Sequence, residues 1–207
     1  MNVLELFAGS RSFSKVAEKY NFKAYTTDFK DFDKIDQVCD IFDFDISKIP
    51  FKPDIVWASP PCYTFSVASI GHHWKGGNKA YIPKTEKAKI GIKIVQKTLD
   101  IINQINPKYY YIENPRGLLR KLPVIQSAHL RRTVCYCKYG DSRMKPTDIW
   151  TNDFNWIPRD MCYNGNKNCH HEPAPRGSRT GTQGIKGNYN RSIVPSQLCE
   201  EIIKGLL

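Results

Sequence analysis

Short apolar runs alternate with longer stretches of helical periodicity along the first half of the chain. Short runs rich in aliphatic and aromatic side chains predict buried strands. The predicted strands are Val3–Ala8, Lys23–Thr27, Ile55–Ala58 and Tyr109–Ile112, with Ile41–Ile46 as a weaker strand or loop. Between them, Ser12–Tyr20 and Thr85–Ile105 repeat apolar residues along one helix face. This alternation predicts an α/β fold, with a mostly parallel sheet and helices on both faces.

The second half of the chain changes in character. Arg132–Tyr139 and Asp148–Thr151 predict two more strands, and Pro195–Leu207 predicts a terminal helix. Residues 153–190 are rich in Gly, Pro, Asn and Arg, which predicts little regular structure. We therefore predict three parts: a core over residues 1–152, a small irregular segment rich in Gly, Cys and His over 153–190, and residues 191–207 completing the core.

Charge is distributed unevenly over the 207 residues, whose formal net charge is +11. Residues 1–54 carry eight Lys and Arg against ten Asp and Glu, whereas residues 55–207 carry 23 against ten. A basic region of this size suits a polyanionic partner such as nucleic acid, although a solvated lysine-rich face has the same composition. No apolar run is long enough for a membrane span, and no export signal is evident. We therefore expect a cytoplasmic protein, of a bacterium or a phage-infected cell, with seven reduced cysteines.

Small and acidic residues follow two predicted strands. Gly9 follows the first strand, where a glycine lets the backbone turn closely around a ligand. Asp28 ends the next strand, 19 residues later, where a carboxylate accepts hydrogen bonds from a ribose diol. Asp45, after the weaker third strand or loop, is a candidate to contact an adenine amino group. The alternative is an ordinary strand–helix turn beside a solvated aspartate.

Two further groups suit covalent chemistry. Pro60 and Pro61 stiffen the chain before Cys62, as a nucleophile requires, although buried structural cysteines are also common. Glu113 ends a neighbouring predicted strand and suits proton transfer, or else caps a helix.

These motifs together resemble the cytosine C5 DNA methyltransferases, most closely small phage-type members. The matching stretches, in order, are Leu4–Gly9, Pro60-Pro61-Cys62 with Phe65-Ser66, Glu113-Asn114, Tyr139-Gly140 before Arg143 and Lys145, and Arg191–Ile203. The sequence departs from the family pattern at Tyr63, where glutamine is usual, at Pro115, where valine is usual, and at Arg191-Ser192, where glycine-asparagine is usual.

The resemblance implies a Rossmann-like fold that uses S-adenosylmethionine to methylate a flipped-out cytosine of double-stranded DNA. It implies a catalytic set of Cys62, Glu113, Arg143 and Lys145, in which the cysteine forms a covalent adduct. The implied cofactor residues are Phe7, Ala8, Gly9, Ser10, Asp28, Phe29, Asp45, Ser59, Pro60, Ser192 and Val194. Alternatives are the same chemistry on RNA, transfer of a larger group from a modified donor, and a non-catalytic DNA-binding scaffold.

The remaining candidates concern DNA and metal. DNA contacts are expected from Ser66, His73, Lys75, Lys79, Arg176 and Arg179, the lysines lying in a glycine-containing loop that suits closure on DNA. Candidate zinc ligands are Cys162, Cys169, His170 and His171, with Cys135 or Cys137 as further thiolates. The alternative is free thiols in a loop. Residues 153–190 are the predicted target-recognition segment (the recognition segment), and their small number indicates a short target or an accessory specificity partner. Nothing in the sequence indicates an oligomeric state.

Overall fold

A computed structural model of the protein describes residues 1–77, 80–173, 185 and 187–207. The main sheet has seven strands: β1 (Asn2–Leu6), β2 (Lys23–Asp28), β3 (Gln37–Val38), β4 (Ile55–Ala58), β7 (Tyr109–Pro115), β8 (Leu130–Cys135) and β9 (Pro146–Thr151). A separate ribbon pairs β5 (Trp74–Lys75) with β6 (Ile82–Pro83). The α-helices are α1 (Ser12–Lys19), α2 (Ile70–His73), α3 (Glu86–Ile105), α4 (Asn188–Ser192) and α5 (Ser196–Gly205).

The strand order explains where a ligand site forms. The order is β3-β2-β1-β4-β7-β9-β8, with β3 to β7 parallel and β9 antiparallel to both of its neighbours. The chain runs outward from β1 in both directions, so the connections after β1 and β4 diverge. Such a switch point opens a crevice at the carboxyl ends of the strands. The predicted α/β architecture with a mostly parallel sheet is confirmed.

Alternate side chains of the central strands enter two separate cores. On one face, Leu4 and Val56 pack in the core that includes residues of α3. On the other face, Val3, Ile55 and Trp57 pack in the core that includes residues of α1 and α5. Each fully buried aliphatic side chain stabilises the fold by about 1.5–3 kcal/mol. Helices on both faces are therefore confirmed.

Two segments differ from their predictions. Ile41–Ile46, predicted as a weaker strand or a loop, forms no strand: short 3-10 helices form at Ile41–Asp43 and Ile46–Lys48, because the side chains of Asp40 and Asp45 cap them. The strand predicted over Arg132–Tyr139 ends at Cys135, which pairs with Pro146 at the end of the ladder. Proline has no N–H to continue the pairing, and a 3-10 helix follows.

The end of the chain matches its prediction more closely. The terminal helix forms as α5, although α4 was not predicted. Residues 152–173, all of them described, contain no helix or strand, as predicted. The division into three parts stays a prediction. Among the described residues, no helix is both long and apolar enough to cross a membrane.

Candidate active site

The loop after β4 holds Cys62 by main-chain hydrogen bonds on both sides. The backbone N–H of Ser59 donates to the Leu6 carbonyl at 3.3 Å. After the cysteine, the N–H groups of Phe65 and Ser66 both donate to the Cys62 carbonyl at 3.0 Å. The loop is thus a closed turn, and Cys62 is half-buried within it.

Asn114 connects this loop to the strand that carries Glu113. Its side-chain Nδ2 donates to the Pro60 carbonyl at 2.9 Å, and the residue is fully buried. Because β4 and β7 are parallel neighbours, with Ala58 beside Ile112, both functional segments leave the same edge of the sheet. The sequence marked Asn114 only as part of a motif, and the structure gives it a positioning role.

Glu113 lies buried between a tyrosine and a lysine. The hydroxyl of Tyr136 donates to its Oε1 at 2.8 Å, and the Lys145 ammonium lies 4.0 Å from the same oxygen. Lys145 also lies over the Tyr136 ring, with Nζ 4.5 Å from the centroid. The sequence analysis did not predict Tyr136 as a site residue, because it placed Tyr136 inside a strand and because the hydroxyl bonds a carboxylate 23 residues away.

Burial and charge act in opposite directions on Cys62. Burial raises the pKa of its thiol; the Lys145 cation lowers that pKa, and the Glu113 carboxylate raises it. Burial also lowers the pKa of Lys145, against the opposing influence of Glu113 and Cys62. Three ionisable groups are therefore coupled in one partly desolvated space, a pattern typical of active sites.

Arg143 makes its contacts with the protein itself. Its guanidinium forms an ion pair with Asp141 and donates to the carbonyls of Arg191 at 3.3 Å and Ile193 at 3.1 Å. Lys145 donates to the Arg191 carbonyl as well, at 3.0 Å. Arg143 thus joins the end of α4 to the loop that carries Lys145, and its catalytic role stays a prediction.

Gly9 and Asp28 meet at the turn after β1. The Gly9 N–H donates to Asp28 Oδ2 at 3.0 Å, and the Lys30 N–H donates to Oδ1 at 3.0 Å. A Cβ at position 9 would lie 2.9 Å from the Phe32 ring, so a larger residue does not fit without movement. Burial raises the pKa of Asp28, and these N–H groups oppose the rise.

The C-terminal segment reaches the same turn. The Val194 N–H donates to Ser12 Oγ at 3.1 Å, and that hydroxyl lies 2.7 Å from Ser10 Oγ. Residues 10, 12 and 194 are therefore brought together, as expected for a segment that closes the cofactor site. Ser192 instead donates to the Tyr189 carbonyl at 2.7 Å.

The other predicted cofactor residues differ in their surroundings. Phe7 has φ +60° and leads into Ala8, which is buried and bonded to the Thr27 carbonyl. Phe29 is 66% exposed at the end of β2. The Asp45 carboxylate accepts from both the N–H and the hydroxyl of Ser47, which lowers its pKa, so it serves as a local cap.

The predicted DNA contacts are only partly at the surface. Lys75 is exposed, and Ser66 is half-buried with its hydroxyl 2.9 Å from Ser69 Oγ. His73 is buried, with Nδ1 2.7 Å from Thr85 Oγ1 at the start of α3, and its DNA contact stays a prediction. Lys79, Arg176 and Arg179 lie outside the described residues.

A basic cleft lies beside the Cys62 loop, and the sequence analysis did not predict it. It is lined by Val67, Ile70, Tyr81, Arg116, Gly117, Leu118, Arg120 and Lys121. Its floor is joined to the loop, since the Leu118 N–H donates to the Phe65 carbonyl at 2.8 Å. Three basic residues directly after the Glu113 motif were the available sequence signal.

Three of the four predicted metal ligands lie together. Cys162, Cys169 and His171 form one cluster with Cys137. The prediction of His170 as a ligand is corrected, because His170 is exposed and its Nε2 lies 3.0 Å from the Asp141 carbonyl. Cys135 lies next to the cluster, bonded to the Cys162 backbone, and is outside the set.

Comparisons with known proteins agree with this geometry. A family model described as C-5 cytosine-specific DNA methylase matches residues 1–124. A protein of Frog virus 3 (isolate Goorha), named as a probable DNA (cytosine-5)-methyltransferase, is 29% identical over 205 residues, covering 92% of each chain.

A solved structure supports the fold. A protein assigned as a DNA modification methyltransferase encoded within an Escherichia coli prophage aligns with a TM-score of 0.52 and 12% identity. The alignment covers 79% of this chain and 52% of that one, so this chain spans about half the length of that protein. The fold is Rossmann-like, as in S-adenosylmethionine-dependent methyltransferases. By the match over residues 1–124, this chain belongs to the C-5 cytosine-specific DNA methylase family.

Proposed function

We propose that this protein transfers a methyl group from S-adenosylmethionine to C5 of a cytosine flipped out of double-stranded DNA. The observation that carries the proposal is the hydrogen bond from Asn114 to the Pro60 carbonyl. It fixes the Cys62 loop against the strand end that carries Glu113, with Lys145 beside both. Family membership supplies the class of reaction.

Cys62 acts as the nucleophile. Its thiolate adds to C6 of cytosine, which turns one difficult substitution into two easier steps. Since burial raises the pKa of the thiol, the protein must favour the thiolate by other means. The Lys145 ammonium supplies the positive charge for this.

Glu113 stabilises the base as it accepts the sulfur. Its carboxyl group hydrogen-bonds N3 and the exocyclic amine of cytosine, and protonation at N3 stabilises the enamine that forms. Tyr136 and Lys145 hold the Glu113 side chain in place. C5 of this enamine would take up the methyl group; the C5 proton then leaves to water, the N3 proton returns to Glu113, and departure of the Cys62 sulfur restores the aromatic ring.

The turn after β1 fits the cofactor. S-adenosylmethionine, when bound, supplies an electrophilic methyl group. Gly9 packs closely on the Phe32 ring, the Asp28 oxygens keep lone pairs for ribose hydroxyls, and Phe29 offers an exposed ring at the strand end. Ser12 contacts both Ser10 and Val194, which brings the C-terminal segment to this turn. Ser59, in the Cys62 loop, donates its N–H to the Leu6 carbonyl at the end of β1.

The basic surface suits the DNA backbone. Extruding a base costs a few kcal/mol, which phosphate contacts offset. Arg116 and Lys121 line the cleft next to the Cys62 loop, and Lys75 is exposed. These charges suit contacts with DNA phosphates when a base reaches the thiol. Binding should therefore weaken steeply as salt rises.

Nucleoside mass spectrometry tests the proposal. DNA and RNA are isolated from cells that express the wild type or Cys62→Ala, and digested. We expect 5-methylcytosine in DNA with the wild type alone. Methylated cytosine in RNA alone would overturn DNA as substrate, a heavier cytosine adduct would overturn the donor, and unmodified nucleic acid with folded, soluble enzyme would overturn the activity.

A further inference from the structure

Four soft donor atoms converge beside the active site. The Sγ atoms of Cys137, Cys162 and Cys169 and a ring nitrogen of His171 all lie within 4.8 Å of one another. Cys137 belongs to the 3-10 helix after β8, and the other three belong to the irregular stretch after β9. Residues distant in sequence are thus brought to one point.

The spacing and burial suit a tetrahedral zinc ion. With Zn–S bonds of about 2.3 Å, tetrahedral ligands lie about 3.8 Å apart. The Sγ of Cys162 lies 3.6 Å from Nδ1 of His171. Cys137, Cys162 and His171 are buried, and Cys169 is half-buried. Three sulfurs and one imidazole favour zinc over magnesium or calcium, which prefer oxygen.

The loop between two of the ligands is shaped around the sulfur. The Asn166 side-chain amide points to Cys162 Sγ at 3.6 Å, and the Cys169 N–H donates to the Asn166 carbonyl at 3.1 Å. Gly165 turns the chain with φ +77°, a conformation that side chains other than glycine rarely adopt. Amide donors near the sulfur are the second layer that a thiolate ligand needs.

Trp156 and Arg159 hold the first part of the segment to the core and to Glu201, but the part after Arg159 packs on few apolar side chains. Its local core consists of sulfur-bearing residues: Cys135, Cys137 and Cys162, with Met144 and Cys169 against them. Residues 152–173 form no helix or strand. A small segment of this kind gains its folding free energy from a metal.

We propose that Cys137, Cys162, Cys169 and His171 bind one Zn²⁺ as a structural site that fastens the start of the recognition segment to the wall of the active site. Binding takes the three cysteines as thiolates and the histidine as neutral imidazole, so the thiol protons are released to solvent. Cys137 follows Tyr136, whose hydroxyl bonds Glu113.

The same segment pairs with the loop that carries Arg143. His170 Nε2 lies 3.0 Å from the Asp141 carbonyl, and the Glu172 N–H donates to the Ser142 carbonyl at 2.9 Å. Asp141 in turn holds Arg143. Zinc at the cluster therefore stabilises both the recognition segment and this loop.

Metal content of the full-length protein tests the site. Protein expressed with added zinc and freed of loose metal by gel filtration is analysed by elemental and native mass spectrometry. We expect one zinc per chain in the wild type, and a zinc content at least tenfold lower in Cys162→Ser and Cys169→Ser. His170→Ala and Cys39→Ser, a neighbouring histidine and a remote half-buried cysteine, should retain it.

Wild-type protein gives a second measurement if the serine variants fail to fold. After zinc is removed under reducing conditions, Co²⁺ should bind one per chain, with the thiolate charge-transfer and visible bands of a tetrahedral site. Folded wild type with no zinc and no such cobalt spectrum would overturn the proposal. So would a disulfide among these cysteines in protein isolated without added oxidant or reductant, or full zinc content in Cys169→Ser. None of these readouts requires methyl transfer, so they are independent of the proposed function.

Discussion

The two sides of the active site are held by different means. The Cys62 and Glu113 segments leave adjacent parallel strands, and a main-chain carbonyl meets a buried amide between them. Residues 162–173 have no strand to hold them and meet the core mainly through side chains of a cysteine cluster. The comparison teaches that the sheet places the reacting groups, whereas a few side chains place the segment beside them. The two sides should therefore fail separately.

The largest expected effect comes from the nucleophile. Cys62→Ala removes the thiol and should lower methyl transfer by about 10³-fold or more, since the covalent step loses the thiolate that adds to C6. Affinity for DNA, measured by fluorescence anisotropy, should stay within about threefold, because phosphate contacts supply most of it. Cys39→Ser is the matched control and should retain activity.

The second-largest effect is expected from Glu113→Gln. Its kcat should fall by about 10²-fold or more, because an amide cannot deliver a proton to N3. Single-turnover rates with saturating DNA measure it. An unchanged kcat would remove Glu113 from the chemistry.

Asn114→Ala tests the bond between the two segments. We expect kcat to fall by up to about 10²-fold, as misplacement of a reacting group by roughly 1 Å allows. Asn152→Ala is the matched control, because Asn152 bonds the Tyr110 N–H at the other end of β7. Both variants should lose about 1–3 kcal/mol of stability, measured by denaturant unfolding, but the control should keep its kcat. Equal losses of kcat would contradict the positioning role.

Lys145→Met tests the electrostatic coupling. Removal of the cation removes the influence that lowers the Cys62 pKa, so that pKa should rise. The ascending limb of the rate–pH profile should then move to higher pH, and alkylation of Cys62 by iodoacetamide should move with it. Lys93→Met, an exposed lysine on α3, should leave both profiles in place. A shift to lower pH would contradict this account.

The smallest effect is expected from Tyr136→Phe. Loss of its hydrogen bond to Glu113 should cost about 0.5–1.5 kcal/mol, or roughly two- to thirteenfold in kcat/KM. Tyr139→Phe, which loses a hydroxyl bonded to the Arg159 N–H outside the site, should affect stability alone.

Sequence patterns located the parts of the site that depend on strand ends. Gly9, Asp28, Cys62 and Glu113 each follow a buried run, and a parallel sheet brings such positions to one edge. Tyr136 was missed because its bond to Glu113 spans 23 residues and no local pattern records it. The same reason left Cys137 open as a metal ligand.

Local capping explains one further difference between prediction and structure, and tertiary packing explains two others. Ile41–Ile46 has the composition of a strand, but capping aspartates before each short turn favoured 3-10 helices. His73 resembles a surface contact in sequence, and only the packing of the loop on α3 shows that it is buried. Spacing of the cysteines alone did not distinguish His171 from His170, which the fold separates.

Covalent trapping tests the central claim most directly. Purified protein is incubated with S-adenosylmethionine and duplex DNA containing 5-fluorocytosine, which blocks the loss of the C5 substituent that releases the enzyme. We predict a covalent complex by intact mass, with peptide mapping that places the DNA on Cys62, and none with Cys62→Ala. DNA binding without any adduct, or an adduct that persists in Cys62→Ala, would contradict the account.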